Sequence, residues 1–499
     1  MTKQKNTVVD IFVVGGGVNG AGIARDAAGR GLSVTLAEKD DLASHTSSAS
    51  SKLIHGGLRY LEHYEFRLVR ESLKEREILL RSAPHLIFPL RFILPHHKAM
   101  RPAFLLRIGL FLYDHLGGRQ LLPATITRNL TKHIAGSPLQ SRFKKAFEYS
   151  DCWVDDARLV CLTAKDAEMR GANILTRHEV IKAQRQNGLW EVTLQDDQGK
   201  QSTHLARTMV NAAGAWVDDI EEKSSPNPKS KKSIRMVKGS HIIVPKLYEG
   251  PHAYTFQHTD NRVIFAIPYE RNYTLIGTTD VPFSDDPNSV TINADEKSYL
   301  CSVASSYFDK PVKAQDIRWA YSGVRPLVDD GQTNASKTTR DYVLELDIQN
   351  SAPMLSVYGG KITTFRCLAE DAMAALLPYF ETCSQAWTNN AKLPGGEMGY
   401  SGLADFITET RKKYGWLPEE TLSRLIKAYG TYIEKLIGNA QSLEQLGKHF
   451  GAGLYEAELS YMRDEEWANT AEDALWRRSK LGLHMTEAEQ KAVEDWFNK

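Results

Sequence analysis

The fold of this chain is decided by a glycine-rich stretch, Gly15-Gly16-Gly17-Val18-Asn19-Gly20. It directly follows Val8-Val9-Asp10-Ile11-Phe12-Val13-Val14, a run of mainly β-branched residues typical of a buried parallel strand. Gly15 permits a tight turn, Gly17 lets the backbone approach a pyrophosphate, and Gly20 allows a helix to pack closely on the strand. Unsatisfied N–H groups and a partial positive charge at the start of that helix favour an anion. The stretch therefore predicts a dinucleotide site.

The residues after the glycines support this interpretation. We expect a helix from about Asn19 to Arg30 and then a second strand over residues 31–37. This strand ends at Glu38, about 20 residues beyond the glycines, where an acidic side chain accepts hydrogen bonds from a ribose diol. A lone glycine motif is weak evidence, but strand, glycines, helix, strand and acid in this order favour a bound dinucleotide.

A polar loop at residues 44–60 favours a flavin over a nicotinamide nucleotide. Its Ser and Thr hydroxyls can hydrogen-bond a pyrophosphate and a ribityl chain, and Gly56-Gly57 lets the backbone lie against a flat ring. A solvated serine-rich linker is the alternative. The loop leads into His55, Arg59 and Tyr60, which are not typical linker residues. We therefore expect FAD as the cofactor.

Composition excludes several classes of protein. With 42% hydrophobic and 25% charged residues, the 499-residue chain has the composition of a folded multidomain protein. Its 62 basic and 61 acidic residues give a net charge of +1, so no nucleic-acid partner is expected. The five cysteines form no C-x-x-C pair, which argues against a zinc site or a disulfide framework, and no metal is expected. The sequence shows neither a signal-peptide pattern nor an apolar run of the roughly 20 residues that span a bilayer.

Several motifs match one family over nearly the whole chain. They are residues 15–22, 47–61, 149–158, 238–241, 276–280, 321–326 and 359–364. Through these motifs, of which 47–61 is the most specific, the chain resembles the FAD-dependent, quinone-linked glycerol-3-phosphate dehydrogenases of the aerobic bacterial type. The wider superfamily of glycine and sarcosine oxidases shares only the glycine motif and the strand end at 210–216.

The resemblance implies an architecture. It is an α/β protein with an FAD-binding Rossmann-like fold of the glutathione-reductase-like, amino-acid-oxidase type, an antiparallel β substrate domain and a C-terminal helical domain. The expected boundaries are a discontinuous FAD-binding domain at 1–90, 155–235 and 350–385, a helical, membrane-facing insertion at 91–154, a substrate-binding β domain at 236–349, and an α-helical domain at 390–499. The alternating pattern at 188–194, followed by a polar turn, also predicts a β-hairpin.

The resemblance also implies a reaction. sn-Glycerol 3-phosphate is oxidised to dihydroxyacetone phosphate, FAD is reduced, and electrons pass to membrane quinone in glycerol catabolism. Hydride transfer from a secondary alcohol needs a base, a positive environment for the developing oxyanion, and a clamp on the phosphate. We assign Arg325 and Lys361 to the reacting hydroxyl and Arg59 mainly to the phosphate, because each lies in a glycine-containing motif.

His55 is the candidate base, since the unperturbed pKa of a histidine side chain is about 6.5. His241 competes with it, and a hydrogen-bonded packing role is the alternative for both. Tyr60 is expected to bind substrate or flavin. Arg340 is a weaker phosphate ligand because the adjacent Asp341 suggests an ion pair.

The expected cofactor-binding residues lie in the glycine turn, in the hydroxyl-rich loop or close to the later glycines. They are Gly15, Gly17, Gly20, Glu38, Thr46, Ser47, Ser48, Lys52, Leu53, His55, Gly214, Gly360, Lys361, Thr363 and Thr364.

Residues 96–113 combine cationic and bulky apolar side chains, as an interfacial membrane anchor requires. A buried helix with a basic end is the alternative. The quinone-linked resemblance favours contact with a membrane surface, so we expect a cytoplasmic protein bound peripherally to the inner face of the cell membrane. A homodimer is one expected assembly.

Three other functions share these features. A glycerol-3-phosphate oxidase would pass its electrons to oxygen, and an amine or amino-acid oxidase would bind a carboxylate through an arginine. A non-enzymatic flavin protein would use the C-terminal helices for interaction and would not be reduced by an alcohol.

Overall fold

The computed structural model describes residues 7–97, 100–224, 233–258, 260, 262–329, 341–348 and 352–499. Its first elements are strand β1 (Val8–Val14), helix α1 (Val18–Gly29) and strand β2 (Val34–Ala37). The predicted strand, glycine turn, helix and second strand are thus confirmed, with boundaries that differ by at most a few residues.

The first sheet contains the glycine turn. Its strands are β1, β2, β7 (Asn173–Leu175), β8 (His178–Gln186), β9 (Leu189–Asp196), β10 (Gln201–Asn211), β17 (Val343–Asp347) and β18 (Met354–Tyr358). Strands β18, β10, β1, β2 and β7 run parallel in that order, and β17 joins antiparallel at the edge. Strands β8, β9 and β10 form an antiparallel meander, so the predicted hairpin is confirmed.

Helices cover one face of this sheet. They are α1, α4 (Asp156–Met169) and α7 (Phe365–Leu376), and their apolar side chains share one core with β1 and β18. The meander and α5 (Val217–Ser224) pack on the other face around Phe12 and the fully buried Trp190. Because the parallel strands end at one edge, the loops after β1, β2, β10 and β18 converge there.

The second sheet is mainly antiparallel. Its strands are β3 (Leu53–Ile54), β4 (Ile87–His96), β5 (Ile126–Asn129), β6 (Lys145–Val154), β11 (Ile234–Pro245), β12 (Ala253–Gln257), β13 (Val263–Tyr269), β14 (Tyr273–Gly277), β15 (Val281–Pro282) and β16 (Trp319–Val328). Helix α6 (Ala294–Tyr307) packs against one side of it, and α2 (Phe66–Ser82) and α3 (Ala103–Leu116) pack against the other.

The segment 91–154 differs from the expected helical insertion. Among its described residues, α3 is the one regular α-helix, whereas β4, β5 and β6 belong to the second sheet. Strand β4 pairs antiparallel with β6 along its whole length and parallel with β12. The segment is therefore part of the β domain, because its strands find partners that are distant in the chain.

The C-terminal region is largely helical, as expected. Its helices are α8 (Gly399–Lys413), α9 (Glu419–Tyr429), α10 (Ile433–Ile437), α11 (Glu456–Glu466) and α12 (Glu487–Phe497), with a two-stranded ribbon of β19 (His449–Gly451) and β20 (Leu454–Tyr455). The helical pattern over 420–436 is interrupted at Gly430, where a positive φ of 53° ends α9.

A buried ion pair joins this region to the loop after β2. Arg478 donates two hydrogen bonds to the Asp41 carboxylate, at 2.6 and 2.7 Å, and Arg477 donates a third at 2.6 Å. Both Arg478 and Asp41 are 1% exposed. Arg477 and Arg478 therefore tie the C-terminal helical region to the loop that follows β2.

We expect Arg478→Ala to lower the free energy of unfolding by about 3–5 kcal/mol, because removal of one partner leaves a buried carboxylate poorly compensated. Arg411→Ala is the matched control. It breaks a pair with Glu419 whose two side chains are exposed, so screening by water leaves it little effect on stability. Denaturant unfolding of both variants measures the difference, and equal midpoints would contradict a stabilising role for the Arg478–Asp41 pair.

Candidate active site

A deep cavity of about 1060 Å³ is bordered by both sheets. Its walls come from the loops after β1, β2, β10 and β18, and from strands of the second sheet. Of the residues predicted from the sequence, those that line it are Gly15, Gly17, Glu38, Thr46, Ser47, Leu53, His55, Arg59, Tyr60, Gly214, Arg325, Gly360, Lys361 and Thr363. Its volume is slightly above the usual range for ligand cavities, about 300–1,000 Å³, so it has room for a large ligand.

The glycine turn has the shape of a cradle for a phosphate. Gly15 has a φ of +108°, which side-chain-bearing residues rarely adopt, and a Cβ there would lie 2.5 Å from the Ala212 carbonyl oxygen. A Cβ on Gly20 would lie 1.9 Å from the Gly15 carbonyl oxygen. Gly17 precedes α1 and lines the cavity, and the nearest atom that its Cβ would meet is Ser47 Oγ. The turn is therefore compact, and a dinucleotide pyrophosphate fits at the start of α1.

Glu38 lies beside this turn, where β2 ends. Its carboxylate accepts hydrogen bonds from the Gly16 N–H at 2.6 Å and from the Asp40 N–H at 2.9 Å. Burial raises the pKa of Glu38, and these two backbone hydrogen bonds oppose the rise. The side chain borders the cavity at the position that contacts a ribose in dinucleotide folds.

The hydroxyl-rich loop divides into residues that face the cavity and residues that support them. Thr46 and Ser47 line the cavity, and Ser47 Oγ accepts a hydrogen bond from the first N–H of α1, at Val18, at 3.0 Å. Ser48 and Lys52 do not line it. The buried Lys52 ammonium instead donates to both carboxylate oxygens of Asp156, at 2.7 and 2.9 Å. Lys52 therefore fixes the loop and does not reach into the cavity.

His55 lies on the short loop between β3 and Gly57. Its backbone N–H donates to Thr363 Oγ1 at 3.2 Å, which ties the loop to the turn before α7. The imidazole borders the cavity, and its ring centre lies 6.3 Å from that of Phe265 on β13. His55 thus lies on the cavity wall between the turn before α7 and strand β13.

Two of the predicted cations lie on the same wall. The Lys361 ammonium lies 4.0 Å from the centre of the Tyr60 ring, a cation–π contact. Gly359 and Gly360 before it both have positive φ, so the chain bends sharply to present Lys361. Within the described part of the chain, the Arg59 guanidinium forms no ion pair with a carboxylate. Its charge therefore remains available to an anion in the cavity.

The third cation, Arg325 on β16, is held in place by its neighbours. Its guanidinium donates to Asp280 Oδ1 at 2.7 Å and to Thr278 Oγ1 at 2.8 Å. A Cβ on Gly239 would lie 2.3 Å from this guanidinium, so only glycine leaves room for it. Arg325 borders the cavity. The Asp280 carboxylate holds its guanidinium in place and offsets part of its positive charge.

His241 does not line the cavity. It is 1% exposed, its ring stacks on Tyr321 with centres 4.8 Å apart, and its Nε2 is hydrogen-bonded to Ser51 Oγ at 2.8 Å. Burial, together with the charge of Arg325, lowers the pKa of His241 well below its usual range. The structure therefore gives His241 the geometry of a neutral packing residue.

Two other predicted residues do not border the cavity. Gly20 packs inside the turn, and the buried Thr364 immediately precedes α7. Arg340 lies outside the described residues.

Sequence reasoning missed several residues that shape the cavity. Asn19 Nδ2 donates to the Gly359 carbonyl oxygen at 3.1 Å and so joins the glycine turn to the Lys361 loop. Trp216 lines the cavity after β10, with the Lys39 ammonium 3.7 Å from its ring centre. Asp280 fixes Arg325. Asn19 and Asp280 lie inside motifs that were singled out, but only long-range contacts reveal their roles.

Comparison with known families gives two matches. The model described as "FAD dependent oxidoreductase" matches residues 10–366, and the model described as "C-terminal domain of alpha-glycerophosphate oxidase" matches residues 386–498. The first covers more than half of the chain, and the second covers most of the helical C-terminal region.

Characterised proteins resemble the chain over nearly its whole length. A D-erythritol 1-phosphate dehydrogenase of Brucella abortus is 52% identical, with 98% of this chain and 97% of that protein covered. A glycerol-3-phosphate dehydrogenase of Pseudomonas aeruginosa is 51% identical, with 97% and 94% covered. The aerobic glycerol-3-phosphate dehydrogenase of Escherichia coli is 49% identical, with 98% and 97% covered.

Solved structures give the same fold. The glycerol-3-phosphate dehydrogenase of Bacillus halodurans, complexed with FAD, superposes with a TM-score of 0.77 at 27% identity, with 100% of this chain and 95% of that chain covered. An L-α-glycerophosphate oxidase of Mycoplasma pneumoniae with FAD bound gives a TM-score of 0.62 at 18% identity, with 78% and 99% covered, which is a likeness of fold alone.

Proposed function

Because the chain belongs to the FAD-dependent oxidoreductase family, we propose that this enzyme oxidises the secondary alcohol of a short polyol phosphate, and that its substrate is sn-glycerol 3-phosphate. The product is then dihydroxyacetone phosphate. The observation that best supports this proposal concerns one cavity. It is lined by Arg59, Arg325, Lys361 and His55, and it also contains the dinucleotide turn.

The residues divide between binding and proton transfer. Arg59 has no carboxylate partner among the described residues and suits the dianionic phosphate. Lys361 and Arg325 suit the reacting oxygen, where a positive environment stabilises developing negative charge. FAD, when bound, supplies the acceptor for the hydride that leaves C2. His55 takes the hydroxyl proton. The C2 hydrogen thus leaves as a hydride with two electrons, and the hydroxyl hydrogen leaves as a proton.

D-Erythritol 1-phosphate is the second candidate substrate. It is one carbon longer than glycerol 3-phosphate and offers the same phosphate ester and secondary alcohol. The specific observation in its favour is the 52% identity with a protein named D-erythritol 1-phosphate dehydrogenase, against 49–51% for the glycerol-3-phosphate dehydrogenases. The rates at which the two phosphates reduce the flavin decide between them.

An anaerobic comparison tests the proposal. The FAD-loaded protein is mixed with glycerol 3-phosphate, D-erythritol 1-phosphate or unphosphorylated glycerol, and loss of the visible flavin absorbance is followed. We expect glycerol 3-phosphate to reduce the flavin fastest and glycerol to be very slow, because glycerol lacks the phosphate. A higher kcat/KM for D-erythritol 1-phosphate would replace the proposed substrate, and failure of both phosphates would overturn the polyol-phosphate assignment.

The proposed electron acceptor is a membrane quinone. The lining of the cavity includes Leu105, Ile108 and Leu112 of α3, which offer an apolar surface to an apolar acceptor. Comparing reoxidation of the reduced enzyme by a soluble quinone and by air distinguishes this proposal from an oxygen-using oxidase. Faster reoxidation by air, with peroxide formed, would favour the oxidase. A homodimer remains a prediction.

Helix α3 is the proposed contact with the inner face of the cell membrane. Its outer face exposes Phe104, Leu105, Ile108, Phe111 and Leu112, and the cations Arg101 and Arg107 lie beside them. Apolar side chains of such a helix enter the acyl boundary while cations meet anionic headgroups. Among the helices of the described residues, none has the length and apolar character needed to cross a bilayer.

Replacing both Phe104 and Phe111 by Asp tests this contact. Burial of each phenyl ring contributes about 1.5–3 kcal/mol, so we expect the double variant to bind anionic liposomes at least about 100-fold more weakly in co-sedimentation. Met169→Asp is the control, because Met169 is as exposed as these residues but lies at the end of α4. Equal co-sedimentation of the double variant and wild type would reject α3 as the contact.

A further inference from the structure

Helix α3 makes a contact that its exposed face does not explain. On its buried side, the Tyr113 hydroxyl accepts a hydrogen bond from the Gly56 N–H at 2.8 Å. Gly56 follows His55, the proposed base. Among the described residues, the one other acceptor near this N–H is Asp151 Oδ1, at a longer 3.4 Å. The loop that carries His55 is therefore held on one side by Thr363 and on the other by a side chain of α3.

The direction of these hydrogen bonds follows from which of the groups carry a proton. Tyr113 donates to both carboxylate oxygens of Asp151, at 2.8 and 2.9 Å. An ionised carboxylate only accepts, so the single hydroxyl proton of Tyr113 points to Asp151 and leaves an oxygen lone pair for the Gly56 N–H. Burial and the charge of Asp151 raise the pKa of Tyr113 well above its usual range, so the hydroxyl stays protonated.

A buried cation completes the chain of contacts. Arg76 on α2 donates to Asp151 Oδ1 at 2.7 Å and to the Ser150 carbonyl oxygen at 2.8 Å. Arg76, Asp151 and Tyr113 are each at most 3% exposed. Asp151 is thus held by Arg76, Tyr113 is held by Asp151, and the Gly56 N–H donates to the hydroxyl at the end of this buried chain of hydrogen bonds.

Gly56 is shaped for this partner. A Cβ at Gly56 would lie 2.5 Å from Leu73 Cδ2 and 2.8 Å from the Tyr113 hydroxyl oxygen, so the backbone approaches both side chains closely. The loop then turns at Gly57, which has a φ of +75°. Because the approach is tight, a shift of Tyr113 moves the loop and with it the imidazole of His55.

We propose that Tyr113, fixed by Asp151 and Arg76, is a positioning residue that holds the His55–Gly57 loop in its reactive place against the cavity. This rests on the proposed function, since it assigns His55 to the reaction. Tyr113 lies on the helix that exposes Phe104 and Phe111, so the same helix joins the outer apolar face to the loop.

The test compares Tyr113→Phe with Tyr254→Phe in the FAD-loaded full chain. Tyr254, on β12, is also fully buried, and its hydroxyl donates to the Ala135 carbonyl oxygen at 2.7 Å without touching the loop. Each variant loses one buried hydroxyl. Only Tyr113→Phe leaves the Gly56 N–H without its near acceptor.

Two readouts are measured. Hydrogen–deuterium exchange of peptides that cover residues 53–61 reports loop order without any substrate, and we expect faster exchange in Tyr113→Phe only. In anaerobic flavin reduction we expect kcat to fall about tenfold, which corresponds to about 1.4 kcal/mol, with little change in KM. Arg76→Lys keeps a cation near Asp151 and should give smaller effects of the same kind.

The outcomes test the positioning role of Tyr113 and the proposed function separately. Unchanged exchange of residues 53–61 in Tyr113→Phe would overturn the positioning role, whatever the substrate is. Faster exchange with kcat equal to that of Tyr254→Phe would also overturn it, because the loop position would then not matter to the reaction. If wild-type flavin is not reduced by any polyol phosphate, the proposed function fails, and the exchange result alone still decides whether Tyr113 orders the loop.

Discussion

His55→Asn is expected to slow anaerobic flavin reduction by glycerol 3-phosphate by about 10²- to 10⁴-fold, the usual contribution of a positioned general base. Asn is close to His in size and retains a polar amide, so the loop contacts through the backbone N–H at Thr363 are kept. It offers no group that accepts a proton near neutral pH. FAD content should therefore stay near that of wild type while the rate falls.

His241→Gln is the informative comparison. His241 is buried against Tyr321 and bonded to Ser51, and it does not border the cavity. We expect a loss of less than tenfold in flavin reduction once FAD content is matched. If flavin reduction slows by about 10²- to 10⁴-fold in His241→Gln while His55→Asn keeps the wild-type rate, His241 is the base and the proposed division of roles is wrong.

Gly20→Ala is expected to yield a protein that retains little or no FAD. The added methyl would lie 1.9 Å from the Gly15 carbonyl oxygen, a backbone atom that cannot move without opening the turn. Overpacking of this kind costs about 1–3 kcal/mol or more, and 3 kcal/mol corresponds to more than 100-fold in affinity. The visible flavin absorbance of the purified protein and titration of the apoprotein with FAD measure the loss.

Gly402→Ala is the matched control for this prediction. Gly402 is also helical, in α8, but its Cβ would meet nothing closer than Met398 Cβ at 3.5 Å, an ordinary contact. We expect this variant to bind FAD as wild type does. Normal FAD affinity in Gly20→Ala would show that the turn is not the cofactor cradle.

The cofactor half of the site could be predicted from local sequence. Three features of this half lie close together in the chain: the run Val8–Val14, the glycines and Glu38. Each has a local cause, since the run suits a buried strand, the glycines suit a tight turn and Glu38 suits a ribose. The structure places all three as expected, and the family match agrees with FAD. Local patterns also predicted the hairpin of β9 and β10.

The segment 91–154 could not be predicted in the same way. The family resemblance implied a helical, membrane-facing insertion there, but β4 and β6 pair with each other and β4 also pairs with β12. Strand pairing depends on partners that are far away in sequence, whereas helix periodicity is local. Only α3 followed the helical pattern, and its exposed face agrees with the amphipathic character of residues 96–113.

Local sequence patterns were enough to predict a dinucleotide site and the FAD-binding fold, and they indicated a set of cations for the proposed substrate site. The tertiary structure determined the surroundings of each residue. It paired Arg325 with Asp280, left Arg59 without a carboxylate partner among the described residues, and buried His241 while placing His55 on the cavity wall. The physical reason is that charge, burial and proton affinity depend on neighbours brought together by folding, and no local pattern in the chain specifies those neighbours.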